Sequence, residues 1–318
     1  MDIKGKKLLL IGGAGFIGSH TLDLLLKEDI KEIIIFDNFS RGKTKNIELA
    51  LKDPRVKIFE HGGDIVQTDI LSSAMKNIDG VFHFAALWLL HCWDYPSSAF
   101  KVNIEGTFNV LEACKKNNIK KLVFSSSASV YGDAMEDPMK ENHPFNNTNF
   151  YGASKIAGEQ MARAYHYRYG LNFIGLRYMN VYGPRQDYKG AYIAVIMRIL
   201  DNLELGKNPI LYGDGKQAYD FISVKDCALS NICAMKSDAN NEFYNVGTGI
   251  KTSLLELTKI ILEEFGLNLN IEFKEEEKSF VKNRVGDPTK ARNEIGFEAQ
   301  INLRKGIQDL IKWKRSLS

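Results

Sequence analysis

Tyr151 and Lys155 stand four residues apart in the run FYGASKIAGEQ, residues 150–160. Residues at i and i+4 share one helical face, so a phenol and an ammonium would address a single point. A neighbouring ammonium favours the phenolate of a tyrosine whose ordinary pKa is ~10, which makes the pair a candidate general acid and base. The same spacing also suits a surface helix along which a lysine stem simply lies. The residues that would surround the pair must decide between these readings.

A second chemical cluster lies at the N-terminus. Gly12, Gly15, Phe16, Ile17 and Gly18 fall in GGAGFIG, which comes after the apolar run KKLLLI and opens a helical pattern. Glycines at such a turn let the backbone approach a pyrophosphate, which then rests on the free N–H groups and positive dipole end of the helix. Asp37, with Asn38 after it, ends the next apolar run, near the ~20-residue offset at which an acid meets the adenosine ribose. A carboxylate there bonds the ribose diol and repels a 2′-phosphate, so NAD is expected over NADP. Arg41 and Lys43 close by leave NADP open.

These clusters need a scaffold. KKLLLIGG, EIIIFDN, VKIFEHG, GVFHFAA, KLVFSSS and NFIGLRY read as strands, and segments of helical period such as GSHTLDLLLKE and NIEGTFNVLEACKKN lie between them. Strands alternating with helices imply a doubly wound parallel α/β sheet of Rossmann type, and runs apolar almost throughout suit burial on both faces. After Arg177 the pattern loosens into turn-rich pieces, VYGPRQD, ILYGDGKQ and NVGTGIKT, between helical stretches. We expect a first domain over 1–178 and a smaller, interleaved lobe over 179–318. No flexible linker separates them, and 220–237, with its strand-then-helix look, is expected to return to the first sheet.

Bulk properties narrow the class. The chain has 318 residues, 44% hydrophobic and 25% charged, as a soluble globular protein should. A net charge of +3, with lysines interleaved among acids, argues against nucleic acid as a partner. Cys92, Cys114, Cys227 and Cys233 have neither CxxC spacing nor a nearby histidine pair, so no metal site or disulfide framework is expected, and reduced thiols fit the cytoplasm. The first apolar run is broken by glycines too early for a signal peptide or membrane span.

With these pieces in view the chain resembles the extended short-chain dehydrogenase/reductases, most closely the NAD-dependent nucleotide-sugar epimerases and dehydratases of the UDP-glucose 4-epimerase type. The resemblance runs almost end to end through GGAGFIGSH, FDNFSRG, GDI, HFAA, VNIEGTFNVLEA, FSSSASVYG, YGASK, RYMNVYGPRQ, YGDGKQAYDFISVKD and NVGTG. It implies that Tyr151 is the catalytic base, that Lys155 binds the nicotinamide ribose and lowers the tyrosine pKa, and that Ser127 orients the sugar hydroxyl. It implies further that Asp37, Asp64 and Ile65 hold the adenosine half of NAD and that Ala85 and Asn103 lie along the cofactor. Asn180, Arg185, Gln217 and Arg284 would lie on the nucleotide-diphosphate side of the substrate, a UDP-sugar above all. The 1–178 domain would then bind NAD and the 179–318 lobe the nucleotide sugar. A homodimer through a four-helix bundle, using the helices that begin near Asn103 and Tyr151, is the further expectation.

Related dehydratases carry an Asp-Glu pair after the Ser/Thr, and related decarboxylases usually keep a Glu; here Ala128 and Ser129 occupy those positions. The resemblance therefore points to a 4-epimerase working through a transient 4-keto sugar, with dehydration or decarboxylation as the alternative. A non-catalytic dinucleotide sensor is a third reading, opposed by the intact YxxxK pair. Two departures stand out. Tyr219 replaces an arginine that in the family binds diphosphate, and LWLLHCWDY places Trp88, His91, Cys92 and Trp93 near the sugar pocket. Trp88 is expected to contact the substrate, and His91 with Cys92 would be a spare acid/base pair or part of a bulky lip.

Overall fold

The computed structural model describes residues 1–187, 195–275 and 281–317. Six strands, β1 (Lys7–Ile11), β2 (Glu32–Phe36), β3 (Val56–Ile58), β4 (Gly80–His83), β5 (Lys121–Ser127) and β6 (Phe173–Tyr178), are those the apolar runs predict. They lie in the order β3-β2-β1-β4-β5-β6, and a seventh strand, Glu242–Val246, pairs outside β6. Every pairing in this sheet is parallel.

Successive side chains of a strand point to opposite faces, and β1 feeds a separate core with each of its two faces. Leu8 and Leu10 pack in the cluster that includes Leu22, Leu25, Cys227 and Met235, while Leu9 and Ile11 pack in the one that includes Leu71, Val110, Leu111 and Ala162. Helices therefore cover both faces along most of the sheet, and only the edge strand β3 leaves Lys57 and Ile58 exposed.

Helix Val224–Lys236 packs beside α1 (Phe16–Leu25) and against β5 and β6. The strand before it, Phe221–Ser223, does not enter the central sheet; it pairs with Asn180–Tyr182. The segment that rejoins the sheet is Glu242–Val246, part of which the sequence presents as a turn because it runs directly into NVGTG. The smaller lobe is built from helices Val195–Glu204, Leu254–Phe265 and Leu303–Arg315, packed around Leu200, Leu257, Ile261, Ile307 and Leu310. Among the described residues, no helix is long and apolar enough to cross a membrane.

Strand order reverses between β1 and β4, and ligands of open α/β sheets bind beyond the strand ends at such a point. Phe84 and Ala85 N–H both reach the Ile11 carbonyl, at 2.8 and 3.2 Å, so the chain after β4 is tied to the end of β1 where the glycine turn begins.

Candidate active site

A cleft of ≈ 610 Å³ opens at this switch point. Gly12, at φ +79°, adopts a left-handed backbone in which a Cβ would stand 2.8 Å from the Ala85 nitrogen, and a Cβ on Gly18 would strike the Gly12 carbonyl. Only glycine permits this turn and the close entry of α1 behind it. The floor of the cleft is thus bare backbone at a helix N-terminus, shaped for a pyrophosphate. Phe16, Ile17, Asn38, Asp64, Ile65 and Ala85 line it with the glycines.

At one end, Asp37 accepts hydrogen bonds from Ala14 N at 2.9 Å and Phe39 N at 2.8 Å. Burial pushes its carboxyl pKa upward while these two donors pull it down. The donors fix the carboxylate in place, and each of its oxygens keeps a lone pair for a ribose hydroxyl. The orphaned N–H groups, the glycine floor and this oriented acid together fit a dinucleotide.

At the other end Tyr151 and Lys155 line the cleft with Ser125 and Ser126, and Ser127 follows these two serines at the end of β5 without being part of the lining. The helix carrying Tyr151 and Lys155, Phe150–Tyr169, starts at Asn149, whose side chain accepts the Gly152 N–H at 2.8 Å, and ends at a left-handed Gly170. Gly158 lets it lie against β5, since a Cβ there would be 2.7 Å from the Phe124 ring. That approach brings Lys155 Nζ to the Ser125 carbonyl at 2.7 Å, beneath the cleft. The Ser127 hydroxyl is close enough to Tyr151 to favour its phenolate. The three residues proposed for chemistry therefore converge where β5 ends.

Burial governs their protonation. It lowers Lys155 to about 8, against the pull of Cys92 and Glu159. It pushes the Tyr151 phenol up to about 12, opposed by the Ser127 hydroxyl and the charge of Arg284. Burial also draws the Arg284 guanidinium down to about 10, although Tyr219, Asp133 and Tyr151 favour its charge. Arg284 Nη1 donates to Ser129 Oγ at 3.5 Å, and its Nε is buried without a partner, so this arginine can still bind an anion.

The remaining expected residues are placed less directly. Asn103 is not part of the cleft lining: its Oδ1 accepts Leu87 N at 2.7 Å and its Nδ2 donates to Leu87 O at 3.0 Å and Ser154 Oγ at 3.1 Å. It positions the 85–90 segment, which does line the cleft, because both ends of its amide are taken by backbone and helix.

Arg185, expected on the substrate diphosphate, lines the same cleft as the glycine turn and Tyr151. Its left-handed backbone, φ 67°, accompanies a turn toward α1, where Nη2 pairs with Asp23 at 2.8 Å. Asn180 packs its backbone N–H on Asp220 O at 2.9 Å. Gln217 donates to Tyr212 O at 3.3 Å. Tyr219 pairs in register with Arg284 and donates its hydroxyl to Val281 O at 2.8 Å, so it braces the segment bearing Arg284.

Trp88 lines the cleft with the Arg41 guanidinium 3.4 Å above its ring, which puts it against the cofactor-side loop as well as the pocket. Cys92 is buried, donates to Leu87 O at 3.5 Å, and is pushed up to about 11 by burial. Such a thiol stays protonated and is a packing group rather than a base. Trp93 is 60% exposed.

Three features escape sequence reasoning. Glu159, one turn beyond Lys155, forms a buried two-pronged pair with Arg177, Nε–Oε1 2.8 Å and Nη2–Oε2 2.7 Å. Asp220 accepts the N–H groups of Thr248 and Gly249 at 2.9 Å, clamping the NVGTG turn. Asp187 pairs with Arg41. The YxxxK spacing extended by four residues would have found Glu159; the other two join distant segments and leave no local signal. Among the described residues no cluster of acids, histidines and cysteines could hold a metal ion.

Residues 8–247 match the model of the NAD dependent epimerase/dehydratase family. The chain is 36% identical over 312 residues to a putative UDP-glucose 4-epimerase of Methanocaldococcus jannaschii, covering 97% of this chain and 98% of that protein. A dTDP-glucose 4,6-dehydratase from an Actinoplanes species is 31% identical, with 98% of each covered. Among solved structures, the UDP-N-acetylglucosamine 4-epimerase of Methanobrevibacter ruminantium, in complex with UDP-N-acetylmuramic acid, superposes with a TM-score of 0.93 at 34% identity, covering 99% of this chain and 100% of that one. A glycine-floored cleft with an oriented acid at one end, a fold shared almost residue for residue, and a family match over most of the chain lead to one statement: this protein belongs to the NAD-dependent epimerase/dehydratase family of extended short-chain dehydrogenase/reductases.

Proposed function

We propose that the protein is a 4-epimerase of UDP-linked hexoses of the glucose or N-acetylglucosamine type. The observation that carries this reading is the wall beyond Ser127: its next two residues, Ala128 and Ser129, are buried and bear no carboxylate. Among the described residues lining the cleft, the carboxylates are Asp37, Asp64 and Asp187. Asp37 and Gly63, next to Asp64, touch one another, and Asp187 pairs with Arg41. Elimination of water needs an acid and a base on the sugar itself, and among the described residues lining the cleft no carboxylate is supplied beside Tyr151.

NAD, when bound, supplies a hydride acceptor and donor and a positive ring that favours the phenolate. Ser127 then holds the C4 hydroxyl while Tyr151 takes its proton as the C4 hydrogen departs with its electron pair. Lys155, anchored on Ser125, keeps a positive charge beneath the phenol. The sugar becomes a 4-ketone, turns over in the pocket, and regains hydride on its other face and the proton from Tyr151. Arg284 is our assignment for the diphosphate, with Tyr219 bracing it rather than sharing its charge.

We further infer a homodimer. Phe108, on helix Gly106–Lys116, is 44% exposed and meets Tyr165 of helix Phe150–Tyr169 edge-on, so two adjacent helices present one aromatic face suited to a second copy.

Incubation with NAD and a panel of UDP-, GDP-, CDP- and dTDP-sugars tests the assignment. A UDP-sugar product of unchanged mass and inverted C4 is expected. Turnover of none of them, with NAD bound, would favour a non-catalytic sensor.

A further inference from the structure

Arg41 and Lys43 pose a question that Asp37 does not answer. Two cations beside the ribose-binding acid are what a 2′-phosphate would seek, since phosphate is held by paired guanidinium and ammonium donors. The 41–43 segment does lie at that acid: a Cβ on Gly42 would be 2.8 Å from each Asp37 carboxylate oxygen, and Lys43 N donates to Ala14 O at 3.2 Å.

Both cations are directed to one partner from a distant segment. Asp187 Oδ2 is 2.8 Å from Arg41 Nη2, and Asp187 Oδ1 is 3.7 Å from Lys43 Nζ. Arg41 is held from its face as well, by Trp88. These pairs are a third to a half exposed, so they add little to stability. Their consequence is local charge. Asp37 and the two cations sum to +1, and counting Asp187 brings the sum of these four groups to zero, with a second carboxylate beside the cations.

We propose that Asp187 is a determinant of cofactor choice: by pairing with Arg41 and Lys43 and cancelling part of their charge it weakens the receptor that a 2′-phosphate would need, so that NAD is preferred. Specificity is a difference of affinities, and here part of it comes from a group that weakens the wrong ligand. Asp187 need touch neither cofactor.

Calorimetric titration of cofactor-depleted protein with NAD and with NADP tests this. Asp187→Ala should raise NADP affinity relative to NAD by roughly tenfold at low salt, the change brought by one ion pair's worth of differential binding. The gain should shrink as salt screens the exposed charges. Asp187→Asn, nearly the same shape, should behave alike, and unaltered NAD affinity in either variant reports an intact site. Adding Arg41→Ala to Asp187→Ala should return the ratio toward the parent value. An unchanged ratio in the single variants, or equal weakening of both dinucleotides, would overturn the proposal.

Discussion

At the scale of single residues, burial sets the chemistry. Tyr151 is the proposed base, and Tyr151→Phe should keep NAD bound while turnover drops by about 10²-fold or more, as loss of a general base does. Near-normal turnover in that variant would remove Tyr151 from the role. Lys155 allows a test of sign. Its folded pKa, about 8, lies below its ordinary value of 10.5, so below pH 8 the folded protein bears the full cost of a buried ammonium. That cost fades between pH 8 and 10.5, where the unfolded chain holds the extra proton. Lys155→Met should therefore be more stable than the parent at pH 7, with the difference narrowing by pH 10 in urea titrations. A constant difference would place Lys155 in a better-solvated site. Cys92, protonated throughout this range, should be replaceable: Cys92→Ala is expected to leave the pH profile of turnover unchanged, and loss of one limb would reinstate it as an acid/base group.

At the scale of elements, helix Phe150–Tyr169 does more than carry the two side chains proposed for chemistry. Tyr151, Lys155 and Glu159 succeed one another at intervals of four residues, and the Glu159 pair with Arg177 fastens this helix to β6. Removing one partner of a buried pair strands the other charge at about 3–5 kcal/mol, so Glu159→Gln should lower stability by about that much in denaturant titrations. Glu159→Met with Arg177→Met should cost less than either single change; equal or additive costs would contradict a coupled pair.

The six apolar runs were legible because strands covered on both faces are apolar at most positions, as Leu8 to Ile11 of β1 illustrate. EFYNV was not, since its polar Asn245 and the turn after it mimic a loop. Of the site, the glycine turn, Asp37 and the Tyr151–Lys155 pair are readable from local spacing. The direction of Arg185 depends on a left-handed backbone and on Asp23, both invisible in a motif. Asn103 turned out to hold Leu87 for the same kind of reason: the partner of a side-chain amide is a matter of tertiary structure.

At the scale of the molecule, Asp220 clamps the Thr248–Gly249 turn and Phe221–Ser223 pairs in parallel with Asn180–Tyr182, so the chain leaving β6 and the chain leaving strand Glu242–Val246 are tied together just beyond the sheet. The proposed dimer adds an external support to helix Phe150–Tyr169. Phe108→Lys should shift the protein from dimer to monomer in sedimentation, and a monomeric parent protein would refute the interface. The chemistry itself is read most directly from the fate of one hydrogen. With a UDP-hexose deuterated at C4, 4-epimerisation returns the label to C4 of a product with inverted configuration and unchanged mass, and this is the predicted result. A label found at C6 of a product lighter by one water, or a product that has lost carbon dioxide, would contradict it.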